Sequence, residues 1–307
     1  MIITSVTLKN FRNIVYEKVY FEKGVNILVG KNGQGKTNIL EAISFCSYLK
    51  SFRAVKEEQL IRFGENSASV LIEYLNDNNT ESIEIIINKD GNKQLKHNGI
   101  TVVKNRELVG AFLSIMFTPD HLNLIKEGPN KRRSFIDMAL CSMDVKYTDS
   151  LLRYQKILSQ RNALLKKEGV NPLLLEVYDE KLAEEGSYIM LARAGYIKKL
   201  EQFAKIIFSD ISKSQNKLKL LYINQFVKEV ESREQVKEAM LKRFVKTRES
   251  DITLKMTCSG IQRTICLFCK TAKALNISDR KGKSARQYYL LYWRRRTLCM
   301  TDSGSTP

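Results

Sequence analysis

The stretch that decides the fold is Gly30-Lys-Asn-Gly-Gln-Gly-Lys-Thr37, which satisfies the phosphate-binding pattern G-x-x-x-x-G-K-[ST] at each fixed position. The preceding run, Val25-Asn-Ile-Leu-Val29, is apolar and β-branched, which predicts a buried strand. The following residues 38–49 carry apolar side chains at 39, 40, 43, 46 and 49, which predicts a helix. The loop should therefore join a strand to the start of a helix, as its chemistry requires.

Such a loop binds phosphate because its glycines let the backbone approach closely and its N–H groups face the anion at a helix N-terminus. Lys36 would bridge the β- and γ-phosphates, and the Thr37 hydroxyl would ligate Mg²⁺. The alternative, an ordinary glycine-rich turn, is disfavoured by the strand–turn–helix context. We therefore expect ATP with Mg²⁺ to be held by Gly30, Lys31, Asn32, Gly33, Gln34, Gly35, Lys36 and Thr37.

The composition indicates a polyanionic partner. The 307 residues include 51 Lys and Arg against 33 Asp and Glu, a net charge of +18, which favours nucleic acid or an anionic membrane surface. No apolar run approaches the length of a membrane span, and the N-terminus lacks the zones of a signal peptide, so we expect a cytoplasmic protein.

The six cysteines show no framework spacing and should be reduced in that compartment. Cys266-x-x-Cys269 lies in an apolar stretch that we interpret as helical. We read the two as buried thiols, because a metal or redox site would need further ligands and the chain holds only two histidines.

The first 120 or so residues are typical of a mixed α/β core. Residues 4–9 alternate like an edge strand, 15–21 read as a second strand, and 69–74 and 82–87 are β-rich and separated by a turn cluster. Strands of this kind beside a phosphate-binding loop predict an α/β nucleotide-binding core with an antiparallel subsheet.

From about 120 to 248 the pattern becomes helical. Three amphipathic runs follow one another: a stripe through Leu151, Tyr154, Leu158 and Leu165, then residues 173–208, then residues 226–244. Basic residues crowd the opposite faces. We interpret the segment as a helical arm inserted into the core, the alternative being three ordinary surface helices.

Several motifs occur in a characteristic order. They are Leu8-Lys-Asn-Phe-Arg-Asn13, Leu28–Ile43 around the loop, Ser51-Phe-Arg53, the Pro-acidic and Arg-Arg-x-x-x-Asp elements within Phe117–Asp137, and Tyr154–Leu165. Together they resemble the RecF family, bacterial DNA recombination and repair ATPases related to the SMC and Rad50 heads. The match runs from residue 1 to about 256.

The resemblance implies a P-loop ABC-type ATPase head with a helical lobe. It further implies an ATP-dependent homodimer with two ATP molecules sandwiched between subunits, binding to single-stranded or gapped DNA, recombination mediator proteins as partners, recombinase loading and the SOS response. Candidate DNA contacts are the densest basic cluster, Lys131, Arg132 and Arg133, with Lys166, Lys167, Lys198 and Lys199 on the arm. Structural ion pairing is the alternative for these side chains.

The chain departs from the family near its C-terminus. Cys258-Ser-Gly-Ile261, or the shifted Ser259-Gly-Ile-Gln262, stands where an ATP-capping signature at a helix start is expected. No apolar strand ending in Asp and a second acid follows, so the Walker B motif is missing and we expect ATP hydrolysis by this chain to be impaired. Asp120 either serves as the catalytic acid or, as the family suggests, lines the loop beside the nucleotide.

The tail from Ala285 has a composition typical of out-of-frame translation, and we expect a frameshift or sequencing error near the signature. We therefore expect an ATP-binding head in residues 1–120, a helical arm in 121–248, a C-terminal head remnant in 249–284 and an aberrant tail in 285–307. Two other functions stay open: a DNA-binding fragment whose nucleotide site does not switch, and a P-loop kinase unrelated to DNA that recruits Arg132 and Arg133.

Overall fold

The computed structural model describes residues 1–51, 53–54, 56–118, 124, 128–212 and 217–271, apart from the side chains of 212, 217 and 267–271. The described chain separates into two compact units. The first comprises Met1–Asn123 and Met138–Thr148, and the second comprises Leu124–Asp137 and the chain from Asp149 onward. Asp120 and the tail 285–307 lie outside the described residues, and the predicted head, arm and remnant boundaries stay predictions.

The first unit is built on one six-stranded sheet in which all neighbours are antiparallel. The order across the sheet is β2-β1-β3-β4-β5-β6. The strands are β1 (Ile2–Phe11), β2 (Ile14–Tyr20), β3 (Ser67–Asn76), β4 (Asn79–Asn88), β5 (Lys93–His97) and β6 (Ile100–Val102). The strands predicted at 15–21, 69–74 and 82–87 are therefore confirmed. The edge position predicted for residues 4–9 is wrong, because β1 lies between β2 and β3.

The buried side chains on one face of this sheet pack against helix α1 (Lys36–Tyr48). On β3 every second residue from Ala68 to Tyr74 is buried, and β4 buries Ile83, Ile85 and Ile87 in the same way. Helix α1 contributes Ala42, Phe45 and Cys46 to the same core. The predicted helix after the loop is confirmed, although Leu40 lies off the buried face and is exposed.

The strand predicted for Val25–Val29 is not formed. Val25, Ile27 and Val29 are 92%, 78% and 87% exposed, and no strand within the described part of the chain pairs with this run. The prediction was wrong because an apolar pattern supplies only half of a strand. A buried strand also needs neighbours that satisfy its backbone groups.

The second unit is dominated by helices. Helix α2 spans Pro129–Cys141, α3 Val145–Leu165, α4 Pro172–Ser212 and α5 Arg233–Leu254. The last residues of α2 and the first residues of α3, within Met138–Thr148, belong to the first unit. The first two predicted runs are confirmed as α3 and α4. The third is wrong at both ends, because α5 begins at Arg233, where Ser232 caps it by accepting from the Gln235 N–H, and continues to Leu254. No helix of the described residues is both long and apolar enough to cross a membrane.

Two strands of the second unit were not predicted. β7 (Lys217–Ile223) pairs antiparallel with β8 (Ile265–Thr271), with Tyr222 opposite Cys266. The stretch around Cys266 and Cys269 is thus a strand and not the predicted helix. The helical interpretation failed because the pairing partner lies more than forty residues earlier in the chain, and a local pattern does not contain that information.

Candidate nucleotide-binding site

The loop enters helix α1 through Gly35, a position that no other residue type can occupy easily. Gly35 is the N-cap residue with φ 92°, and a Cβ there would lie 3.1 Å from Ile14 Cδ1. No side chain caps the helix start. Its first N–H groups and the positive end of its dipole are therefore available to an anion.

The Lys36 ammonium is held inside the loop. Its Nζ donates to the carbonyl oxygens of Gly30 at 2.6 Å and Lys31 at 2.8 Å, and the Lys31 N–H in turn donates to Gln34 Oε1 at 3.0 Å. Thr37 is exposed, and among the described residues nothing hydrogen-bonds its hydroxyl. The loop thus presents a cation and an unengaged hydroxyl side by side, which is the donor set that a nucleoside triphosphate and its metal require.

A cavity of about 430 Å³ opens beside these two residues. Such a volume is typical of sites for small organic ligands. Its lining combines Lys36, Thr37 and Leu40 of helix α1 with Phe21, Asn26, Ile27 and Leu28.

A chain of polar contacts leads from the loop to a buried carboxylate. Asn13 Nδ2 donates to the Gly33 carbonyl at 2.7 Å, and Asn38 Nδ2 donates to Asn13 Oδ1 at 2.6 Å. Arg53 Nη1 donates to Asn38 Oδ1 at 3.1 Å and also contacts Glu41 at 3.4 Å. Glu41 is fully buried on helix α1.

Glu41 binds a second arginine more tightly. Arg12 Nη2 and Nε donate to its two carboxylate oxygens at 2.7 and 3.1 Å, and the Ser51 hydroxyl also donates to it. Neither Glu41 nor Asn38 was predicted as a site residue. Glu41 lies four residues before the buried Phe45, so an acidic residue on the buried face of an apolar helix was the feature that could have identified it.

The predicted basic cluster 131–133 is mostly engaged with the protein itself. Arg132 is only 7% exposed, and it donates to the carbonyl oxygens of Cys266 at 2.7 Å and Leu124 at 2.9 Å. Arg133 Nη1 donates to the Thr264 carbonyl at 2.6 Å, and burial, with Arg193 nearby, lowers the pKa of Arg133. Lys131 is exposed, as are Lys166, Lys167, Lys198 and Lys199.

The signature-like segment is buried. Ser259 is 1% exposed, and its hydroxyl has no hydrogen-bond partner among the described residues. Tyr154 holds the segment, because its hydroxyl accepts from the Ile261 N–H at 3.3 Å and donates to Gln262 Oε1 at 3.1 Å. A single 3₁₀ turn, Ile261–Arg263, follows, so the helix start expected here is not formed. The serine hydroxyl is therefore not presented to a ligand at the surface.

Comparison with known proteins identifies the family. The AAA domain family matches residues 5–287. The DNA replication and repair protein RecF of Clostridium perfringens strain 13 is 35% identical over 263 residues, which cover 86% of this chain and 72% of that protein. The RecF protein of Clostridium acetobutylicum is 38% identical over 264 residues, with the same coverage. This chain belongs to the RecF family.

Two solved structures agree with that assignment. The recombination mediator protein RecF with ATP, from the RecFOR pathway, is 34% identical and superposes with a TM-score of 0.83 over 93% of this chain and 76% of its own. A second RecF structure, with the ligand ATPrS, gives 33% identity and a TM-score of 0.84 over 99% of this chain and 83% of its own. The predicted fold class, a P-loop ABC-type ATPase head with an antiparallel subsheet, is confirmed by these RecF structures.

Proposed function

We propose that this chain is an ATP-binding DNA repair and replication protein of RecF type, with its nucleotide in the loop 30–37. The observation that carries the proposal is the Lys36 ammonium, held within a glycine loop at an uncapped helix start. The RecF relatives and the ATP-bound RecF structure support the choice of ATP.

The residues present fit ATP and Mg²⁺. Lys36, which now donates to two carbonyl oxygens, would donate to the β- and γ-phosphates, and the helix N–H groups would meet the remaining phosphate charge. The Thr37 hydroxyl would be one of the oxygen ligands that Mg²⁺ prefers. When bound, the nucleotide would supply a triphosphate, and the rest of the chain could respond to whether that triphosphate is present.

The DNA partner follows from charge. A net charge of +18 suits a polyanion, and exposed lysines at 131, 166, 167, 198 and 199 could neutralise phosphates. Arg132 is left out of this set because it is buried on main-chain carbonyls. We propose single-stranded or gapped DNA as the ligand, an ATP-dependent homodimer, recombination mediator proteins as partners, a role in recombinase loading and the SOS response, and the bacterial cytoplasm as the location.

A second candidate is a DNA-binding fragment whose nucleotide site does not switch. Burial of Ser259 favours it, because a signature hydroxyl hidden from the surface would not cap a partner's nucleotide. No residue is assigned a role in hydrolysis.

The assignment of the nucleotide site is tested first. ATP binding with Mg²⁺ is measured for the 307-residue chain, for Lys36→Ala and for the control Lys50→Ala, an exposed lysine just past helix α1. Loss of the Lys36 contacts should weaken ATP by about 10- to 100-fold, because hydrogen bonds to charged groups contribute about 1.5–3 kcal/mol. The melting temperature of Lys36→Ala should stay unchanged, and so should the ATP affinity of Lys50→Ala.

DNA affinity is then measured over a salt titration with and without ATP. RecF-type function predicts that ATP raises the DNA affinity of the parent chain and not that of Lys36→Ala. Equal affinity with and without ATP would favour the non-switching fragment. ATP binding by Lys36→Ala at the parental level would contradict the assignment of the site.

A further inference from the structure

The buried carboxylate of Glu41 has an unusual set of partners for a residue one turn into a phosphate-binding helix. Its two oxygens accept from Arg12, Arg53 and Ser51, and the side chain is fully shielded from water. A buried carboxylate is tolerated only where such donors compensate its lost hydration. The arrangement is therefore a fixed anchor.

Arg12 is fixed by this anchor in a conformation that few residues adopt. Its φ is 59°, in the left-handed region, and it forms the tip of the β1–β2 hairpin together with Asn13. Besides Glu41, its Nη1 donates to the Gln59 carbonyl at 2.9 Å and its backbone N–H to the Leu60 carbonyl at 2.7 Å. The guanidinium thereby determines where the next residue, Asn13, is presented.

Asn13 in turn touches the phosphate-binding loop. Its Nδ2 donates to the Gly33 carbonyl, and its Oδ1 accepts from Asn38. Arg53 also joins this pair, because it donates to Asn38 Oδ1 while it contacts Glu41. Two routes therefore run from Glu41 to Asn13, one through Arg12 and one through Arg53 and Asn38.

We propose that Glu41 is a positioning residue for the nucleotide site, acting through Arg12, Arg53 and Asn38 to hold Asn13 on the Gly33 carbonyl. The proposal rests on ATP binding by this loop. Gly33 has a φ of 85°, and because glycine lacks a Cβ its backbone can adopt many conformations when nothing holds it. Holding its carbonyl turns the neighbouring N–H groups toward the phosphates before ATP arrives, which lowers the ordering cost of binding.

The test is a double-mutant cycle in ATP affinity on the 307-residue chain with Mg²⁺. The variants are Glu41→Gln, Asn13→Ala and the two combined. Each single change should weaken ATP by about tenfold, the effect of losing one ordered hydrogen bond of about 1.4 kcal/mol. The combined variant should also bind ATP about tenfold more weakly, and not about a hundredfold more weakly as independent effects would give. Both changes break the same set of hydrogen bonds between Glu41 and Asn13.

A matched control distinguishes positioning from a general loss of stability. Glu57→Gln breaks an ion pair in the same unit, in which Lys93 Nζ lies 2.7 Å from Glu57 Oε1, and Glu57 takes no part in the contacts between Glu41 and Asn13. It should lower the melting temperature and leave ATP affinity within about twofold of the parent. If Glu41→Gln does not fold, Arg53→Gln, at a side chain 45% exposed, replaces it in the cycle, with Arg62→Gln as its control.

The outcomes are distinct. A parent chain that binds no ATP would overturn the proposed function, and this inference with it. A parent that binds ATP while Glu41→Gln, or Arg53→Gln in its place, binds equally well would overturn the inference alone. Multiplication of the two single effects in the combined variant would do the same.

Discussion

At the scale of single residues, the second unit depends on one buried arginine. Arg161 of α3 is fully buried, with Nε donating to Asp179 of α4 and Nη1 donating to Asp251 of α5, both at 2.8 Å. Nη1 also donates to Thr257 Oγ1, and Asp251 accepts from the Cys258 N–H. One guanidinium therefore joins three helices to the start of the signature-like segment.

Neutralising Asp251 should destabilise this unit strongly. Asp251→Asn removes one of the two carboxylates that pair with the buried Arg161, so the free energy of unfolding should fall by about 3–5 kcal/mol. The control is Glu238→Gln on the same helix, which breaks the exposed pair with Lys242 and should change it by less than about 1 kcal/mol. Urea titration measures both. A loss for Asp251→Asn as small as that of the control would contradict this account.

At the scale of elements, local patterns were predicted well and non-local pairings were not. Helix α1 could be predicted because the apolar pattern that indicates it is contained within thirteen consecutive residues. The strand at Val25–Val29 and the helix around Cys266 were both wrong, because strand formation depends on a partner far away in the sequence. The same holds for the site: the glycine loop could be read from eight residues, whereas Glu41 acquires its role from Arg12, 29 positions away.

The sheet carries its own dependence on pH. Glu81 on β4 accepts from Asn76 at 2.9 Å and from the Tyr74 hydroxyl at 2.9 Å, both on or at the end of β3, and contacts His97 on β5. The Asn76 bond, followed by the Tyr74 bond, lowers the pKa of the Glu81 carboxyl. A lowered folded-state pKa means that the carboxylate stabilises the fold above its unfolded pKa of about 4.3 and loses that contribution as pH falls further.

Replacing Glu81 should therefore flatten acid sensitivity. For Glu81→Gln, the free energy of unfolding should fall less steeply than the parent's as the pH is lowered from about 4.5 to 3. Glu17→Gln, at an exposed position on β2, should follow the parental curve. Chemical unfolding at a series of pH values provides the comparison. Parental steepness in Glu81→Gln would show that its hydrogen bonds do not favour the charged form.

At the scale of the whole molecule, the exposed run Val25–Val29 is a liability. Three β-branched side chains stand in solvent beside the nucleotide loop, and Ile115 and Phe117 of the same unit are 99% and 76% exposed. An apolar segment that pairs with no strand of the described residues offers its backbone and side chains to any similar segment.

Self-association of the chain should depend on this run. Val25→Lys should lower the apparent mass at high protein concentration in sedimentation or light scattering, because a charge on an exposed strand-like segment opposes pairing. ATP affinity should be unchanged, since Val25 does not line the cavity beside Lys36. Glu22→Gln makes the same change of +1 in net charge close by without removing an apolar side chain and serves as the control. Equal association of Val25→Lys and the parent would assign the contact to another surface.

The contacts of Arg161 also determine when the second unit can fold during translation. Asp179 follows Arg161 by 18 residues, but Asp251 follows it by 90. On a ribosome adding about 5–20 residues per second, the second partner is made roughly 5–20 s after the arginine. Until then the guanidinium has half its final counter-charge, so the three helices cannot close around it. The unit should therefore complete its folding only when α5 has left the exit tunnel, and a pause in translation before residue 251 would prolong the vulnerable interval.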